Sequence, residues 1–159
     1  MRRKININYI LGACALTLFI LCLLSISQPL RFQSEQSKRE KVVKELLGRI
    51  RTAEENYKGK HGVYTGDFTT LVKGKYITKD MQYVPFSDGK RFSLSATTLV
   101  GKSGKQLPLM ECGATYEDYL NGLDENAIQE LTDNATLAGR YPGLKIGSLT
   151  TDNNNAGNW

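Results

Sequence analysis

"RTAEENYKGKHGVYTGDF", residues Arg51–Phe68, carries a helical rhythm that stops at a glycine and then changes character. Upstream of it, Val43, Leu46, Leu47 and Ile50 recur at intervals of three and four. Ala53 or Glu54 and then Tyr57 continue the series. That spacing puts these side chains on one stripe of an α-helix. Gly59 and Gly62, with Lys58 and Lys60 beside them, have the composition of a helix C-terminus. Beyond Gly62 the apolar residues come in short runs between turn signals, the pattern of a small sheet. The fold class expected is therefore α+β, with this stretch as the junction between its two parts.

Upstream, the stripe reaches back to about residue 34, predicting a helix over 34–60. Lys38, Lys41, Glu45, Arg49 and Glu55 fall on the polar side. Ser37 with Glu40 forms a candidate capping box, and Ser34 is an equal candidate for the cap. Glu40–Lys44 and Glu45–Arg49 are carboxylate-first pairs, each worth a few tenths of a kcal/mol.

Further upstream, Ile5–Leu30 contains no charged side chain. Tyr9–Ile26 is close to the roughly 17 residues that can span a bilayer as a helix. Arg2, Arg3 and Lys4 precede it, which by the positive-inside rule keeps the N-terminus cytoplasmic. The organisation expected is a basic tail over 1–8, a transmembrane helix over 9–27 and an exported domain over 28–159. Within that domain, 62–149 holds the sheet and 150–159 forms a polar tail. Pro29 is expected to close or kink the membrane segment. The alternative is a cleaved signal peptide, whose apolar core is shorter, about 7–15 residues. Leu11-Gly12-Ala13-Cys14 spells a lipobox, yet most of the apolar run lies behind Cys14, so Cys14 is placed within the helix. Small residues Gly12, Ala13 and Ala15 are candidates for helix association. The localisation implied is a bacterial inner membrane, with a periplasmic C-terminal domain.

Cys112 is then the one cysteine of the exported part, which leaves no internal disulfide framework. Net charge is +5, and removing Arg2, Arg3 and Lys4 leaves about +2, too little for a nucleic-acid footprint. The charges are segregated, however. Arg31–Lys60 holds nine cations against five carboxylates, whereas Glu111–Asp133 holds seven carboxylates and neither Lys nor Arg. The two blocks either face each other within the fold, mark where copies meet, or are two solvated faces.

Downstream, Asp67 is a candidate cap for a helical turn over 67–72, and Met81–Val84 reads as extended. Ser87-Asp88-Gly89 is a turn signal. Arg91–Val100 and Gln106–Cys112 alternate as strands around the turn Gly101–Lys105. Glu125–Leu137 reads as a second short helix starting at Asp124 and ended by Gly139. Pro142-Gly143 leads into a last strand over Leu144–Leu149.

Chemistry is sparse. His61 is the single histidine, so every histidine-based catalytic or zinc scheme depends on it. Its place at a helix end makes it a capping or solvated residue. Gly101-Lys-Ser-Gly-Lys lacks the spacing of a phosphate loop. Glu117, Asp118, Asp124 and Glu125 suit helix starts, where the dipole favours carboxylates. Asp152–Asn155 offers calcium-type oxygens without the EF-hand spacing, and a turn or disorder is the simpler assignment. Tyr141 and Trp159 are candidate stacking faces for sugar. The chain is expected to be no enzyme and to need no cofactor.

Ile50, Ala53, Tyr57, Gly62, Tyr64 and Leu71 together resemble the helix-to-loop junction of type IV pilins and pseudopilins. The resemblance covers about the first half of the chain and is specific only over Arg49–Leu71. It implies an N-terminal helix that continues into an amphipathic one packed on a small antiparallel sheet. Two features depart from the pattern. The glutamate expected five residues after a prepilin glycine is missing, since Ala13-Cys14-Ala15-Leu16-Thr17 follows Gly12, and Thr65 replaces a proline after Tyr64. The chain also resembles single-pass envelope proteins of Gram-negative bacteria.

The function expected is that of a membrane-anchored subunit in an envelope assembly, either a pseudopilin-like secretion component or an accessory of a TonB-type motor. Its partners would be inner-membrane proteins or further copies, met through Gly12, Ala13 and Ala15 and through the stripe Val43, Leu46, Leu47, Ile50 and Tyr57. The alternative is a tethered binding module for peptidoglycan, polysaccharide or an exported protein.

Overall fold

The computed structural model describes residues 7–101 and 104–159, with the side chains of 7–9 and 23–29 outside that description. Arg2, Arg3 and Lys4 of the basic tail, and Lys102 and Ser103 of the Gly101–Lys105 turn, lie outside the described residues. The chain divides into two compact units, Met1–Ser37 and Lys38–Trp159. Helix α1, Ile7–His61, contributes to both. It runs through position 29, where the sequence placed a boundary. Proline removes one bond of the helical ladder, and here that does not end the element.

In the first unit the side chains from Ile10 to Cys22 are exposed. The single-pass expectation is corrected here. Among the described residues no helix is long and apolar enough to cross a membrane. The assignment of 9–27 as transmembrane falls with it, and so does the inner-membrane placement with a periplasmic domain.

The second unit is α+β. After α1 come α2 (Phe68–Lys73), β1 (Ser93–Val100), β2 (Gln106–Thr115), α3 (Tyr116–Tyr119), α4 (Glu125–Leu137) and β3 (Gly143–Gly147). The sheet is antiparallel throughout, in the order β1-β2-β3. Leu94, Cys112 and Ile146 stand side by side in its register, and residues aligned across neighbouring strands share one face. Central β2 is buried on both faces, with Met110, Cys112 and Ala114 on one and Leu109 on the other.

Helix starts follow their caps. Asp67 accepts the N–H groups of Thr69 and Thr70 to open α2, and Asp124 accepts that of Ala127 to open α4. Short α3 was not foreseen. Its signal, Thr115 followed three residues later by Asp118, is a reciprocal capping box. Met81–Val84 is a second difference: Lys79–Gln82 closes a 3-10 turn. The Gln82 amide donates to the Lys79 carbonyl at 2.8 Å, and the extended pairing is short, with Tyr83 opposite Arg91 and backbone bonds from Val84 to Lys90 and from Phe92 to Gln82.

The stripe named as an interaction surface lies inside this unit. Val43, Leu47 and Ile50 are fully buried and Ala53 nearly so, while Leu46 and Tyr57 are half-buried. An amphipathic helix covers its apolar stripe with its own domain first, so these side chains form the core.

Candidate functional site

The junction is organised by a carboxylate on the apolar stripe. Glu54 is fully buried. Its two oxygens accept the backbone N–H groups of Thr65 at 2.9 Å and Gly66 at 3.0 Å. A buried carboxylate is costly unless donors surround it, and the loop leaving the helix supplies them. Burial pushes the Glu54 carboxyl above its ordinary range, against the pull of those two hydrogen bonds. Gly66 sits in the left-handed region at φ +60, and a Cβ there would lie 2.6 Å from the Ala96 backbone nitrogen. Only glycine lets this loop approach β1 so closely.

The C-terminal tail closes the other side of the junction. Asn155 is buried and donates its amide to the Tyr64 hydroxyl at 2.7 Å and to Glu55 at 3.4 Å. Asn154 and Asn155 both take left-handed backbone angles, which asparagine tolerates better than most residues. Farther on, Asn158 accepts the Lys145 N–H and donates to the Gly143 carbonyl. Gly157 pairs with Ile146 of β3. The tail is thus fastened to the sheet, and of the two assignments the sequence offered, a turn or disorder, Asn154 and Asn155 take the turn. Helix end and tail enclose an open cleft of about 480 Å³, lined by Glu55, Lys58, Tyr64, Asp152, Asn154 and Asn155 among others. Lys58 lies over the Tyr64 ring at 4.6 Å.

The candidate chemical groups have structural surroundings. The exposed His61 ring stacks on Tyr57, with centroids 4.2 Å apart. Cys112 is fully buried; burial first, and then the negative charges of Glu54 and Glu111, push its thiol far up. A thiol held protonated is a poor nucleophile and metal ligand. Asp118 joins the α3 capping box and pairs with Lys90 at 2.9 Å. Asp152 accepts the Asn154 N–H at 3.0 Å. Among the described residues no group of three or more His, Cys, Asp or Glu side chains is placed to hold a metal ion. Tyr141 is half-buried beside Gly113, whereas Trp159 is 52% exposed with the Lys44 ammonium over its ring.

Glu54 and Asn155 are what sequence reasoning undervalued. A glutamate at a stripe position was a usable signal, because an inward carboxylate requires donors. Asn155 had none, since its partners are 91 and 100 residues away.

In the first unit, the small residues Gly12, Ala13 and Ala15 are exposed beside Leu11, Leu16, Leu18 and Phe19, each of these four 61–63% exposed. A Cβ at Gly12 would meet nothing within 4 Å. Thr17 donates its hydroxyl to the Ala13 carbonyl at 2.8 Å, so this polar group is already satisfied by the helix. No family model, curated protein or solved structure matches the chain.

Proposed function

We propose that the protein is a non-catalytic structural subunit that assembles with further copies of itself through residues 10–22 of α1. One observation carries the reading: Ile10, Leu11, Leu16, Leu18, Phe19, Ile20 and Leu21 are all about half exposed or more. Burying such a side chain is worth about 1.5–3 kcal/mol, and a helix that is apolar all round belongs in an interior. Gly12, Ala13 and Ala15 give a neighbouring helix room for close approach. The junction's resemblance to pilins favours a pseudopilin-like assembly over a motor accessory. The stacked His61 and sealed Cys112 accord with a scaffold that needs no cofactor.

Cys14 lies within this segment and is exposed, so it serves as a native probe. Because Cys22 is exposed in the same segment, the chain is first given Cys22→Ser; its oxidation at rising concentration is expected to give a dimer that a further Cys14→Ser abolishes and Cys112→Ser leaves intact. A monomer in sedimentation at every concentration, with no Cys14 cross-link, would overturn the proposal.

The cleft favours a second reading, a binding module for polysaccharide. Glu55, Lys58, Asp152 and Asn154 present hydroxyl-binding groups beside the Tyr64 ring. Calorimetric titration with cell-wall polysaccharide tests it, and a signal that survives Asn154→Ala with Asp152→Ala would remove it.

A further inference from the structure

The acidic block of Glu111–Asp133 is only partly neutralised within the fold. Glu111 pairs with Lys145 and Asp118 with Lys90, both at 2.9 Å. Helix α4 carries three carboxylates, Glu125, Glu130 and Asp133, with no cation along its length or in its last turn. Its inward side is anchored by buried Ile128 and Ala135. Its outward stripe is Asn126, Glu130, Asp133 and Leu137, all exposed. Leu137 is 86% exposed, in the last turn of the helix, whose carbonyls accept the N–H groups of Ala138, Gly139 and Arg140. The opposite pattern occurs on α1. There Lys41, Glu45 and Arg49 line the outer side with Val42, which is 41% exposed; Glu45 and Arg49 pair with each other at 2.7 Å, which leaves Lys41 as the excess cation of the stripe. Lys38–His61 as a whole holds eight Lys and Arg against four Glu.

We infer that the outward stripe of α4 in one copy docks on the Lys41–Val42 stripe of α1 in another, with Leu137 against Val42 and Asp133 facing Lys41. The occupant is a second copy because each stripe has an exposed apolar residue and an excess of the charge opposite to the other's. Complementary charge steers such an encounter and fixes its register, and the small apolar contact excludes water from the centre. This contact joins two different surfaces of the chain. The inference rests on the reading that the protein self-assembles, and it names a second contact for that assembly.

The test uses full-length chains in which Cys14→Ser and Cys22→Ser remove the native probes. One batch carries Val42→Cys and the other Leu137→Cys; all these positions are exposed, so the fold is kept. Mixing and oxidation are expected to give the mixed disulfide in excess over either homodimer. Asp133→Lys on the Leu137→Cys chain is expected to lower that yield about tenfold by like-charge repulsion, and Lys41→Glu on the partner chain to restore it. Failure of the mixed disulfide, or a yield indifferent to the charge swap, overturns the inference. If the parent chain still cross-links through Cys14, self-assembly stands and only this contact is wrong. If that cross-link is missing too, the assembly reading fails with it.

Discussion

The carboxylate of Glu54 accepts the backbone N–H of Gly66 at 3.0 Å, twelve residues further along the chain. With the neighbouring bond from Thr65, it ties the last turns of α1 to the loop that approaches β1. Glu54→Gln keeps the shape but replaces one acceptor oxygen with a donor, leaving one loop N–H buried and unpaired. A loss of about 1–3 kcal/mol is expected, measured by urea unfolding. A variant as stable as the parent would show that the loop holds itself.

The same residue gives a pH signature. Its folded pKa is raised, so its contribution to stability is fully present below the ordinary glutamate pKa of 4.5. That contribution is lost as pH rises through the folded value. The gap in unfolding free energy between parent and Glu54→Gln should therefore be wider at pH 4 than at pH 7. Asp118 runs the other way: burial pushes it up, but hydrogen bonds from Lys90 and Thr115 outweigh that and hold it low. Its contribution is present above 3.8 and fades as pH falls through the folded value, so Asp118→Asn should flatten the acid limb of the stability curve. Equal gaps at both pH values, or an unchanged acid limb, would contradict these assignments.

Legibility in the sequence tracked how local each determinant is. The α4 boundaries were readable because Asp124 opens thirteen residues with a helical pattern and Gly139 follows their cap, Ala138. Strands β1 and β2 were readable from alternation and the turn between them. The burial of Val43, Leu47 and Ile50 followed from periodicity, but which surface would cover them did not, because a stripe looks alike whether its own domain or a partner packs on it. The apolar run near the N-terminus shows the limit of hydropathy. Composition suggested a membrane span, yet among the described residues no helix is long and apolar enough to cross a membrane. Asn155 was invisible because its hydrogen bonds depend on how the two ends of the domain meet.

Gly66 and Gly62 provide a matched comparison. Both have positive φ, +60 and +80, but a Cβ at Gly62 would meet nothing within 4 Å. Gly62→Ala should cost about 1–2 kcal/mol, the penalty for a left-handed alanine. Gly66→Ala adds a clash with the Ala96 backbone and should cost clearly more, about 2–4 kcal/mol. Thermal unfolding of the pair decides it, and equal losses would mean that the loop near β1 relaxes freely.

Two tyrosine hydroxyls should respond with opposite signs. Tyr119 is fully buried, and its hydroxyl has no hydrogen-bond partner among the described residues. Tyr119→Phe removes an unsatisfied polar group and should raise stability by about 1 kcal/mol. Tyr64 accepts from Asn155 and Lys58, so Tyr64→Phe should lower it by a similar amount. Chemical denaturation of both variants tests the contrast, and a loss on Tyr119→Phe would reveal a partner for that hydroxyl.

Fastening of the tail can be tested at a single amide. Gly147 donates its N–H to the Ala156 carbonyl at 3.1 Å, a bond that exists only while the tail lies along β3. Asn155 holds the preceding turn in place through Tyr64 and Glu55. Asn155→Ala removes both bonds and strains a left-handed position, since alanine lacks the local side-chain hydrogen bonding that lets asparagine occupy it. Exchange at the Gly147 amide should speed up by about tenfold or more, matching a loss of 1–2 kcal/mol in local stability. Asn153→Ala, at an exposed position two residues earlier, should leave that amide as protected as in the parent. Protection unchanged in both variants would mean that the tail is held by its pairing with β3 alone, and that the buried asparagine only fills space.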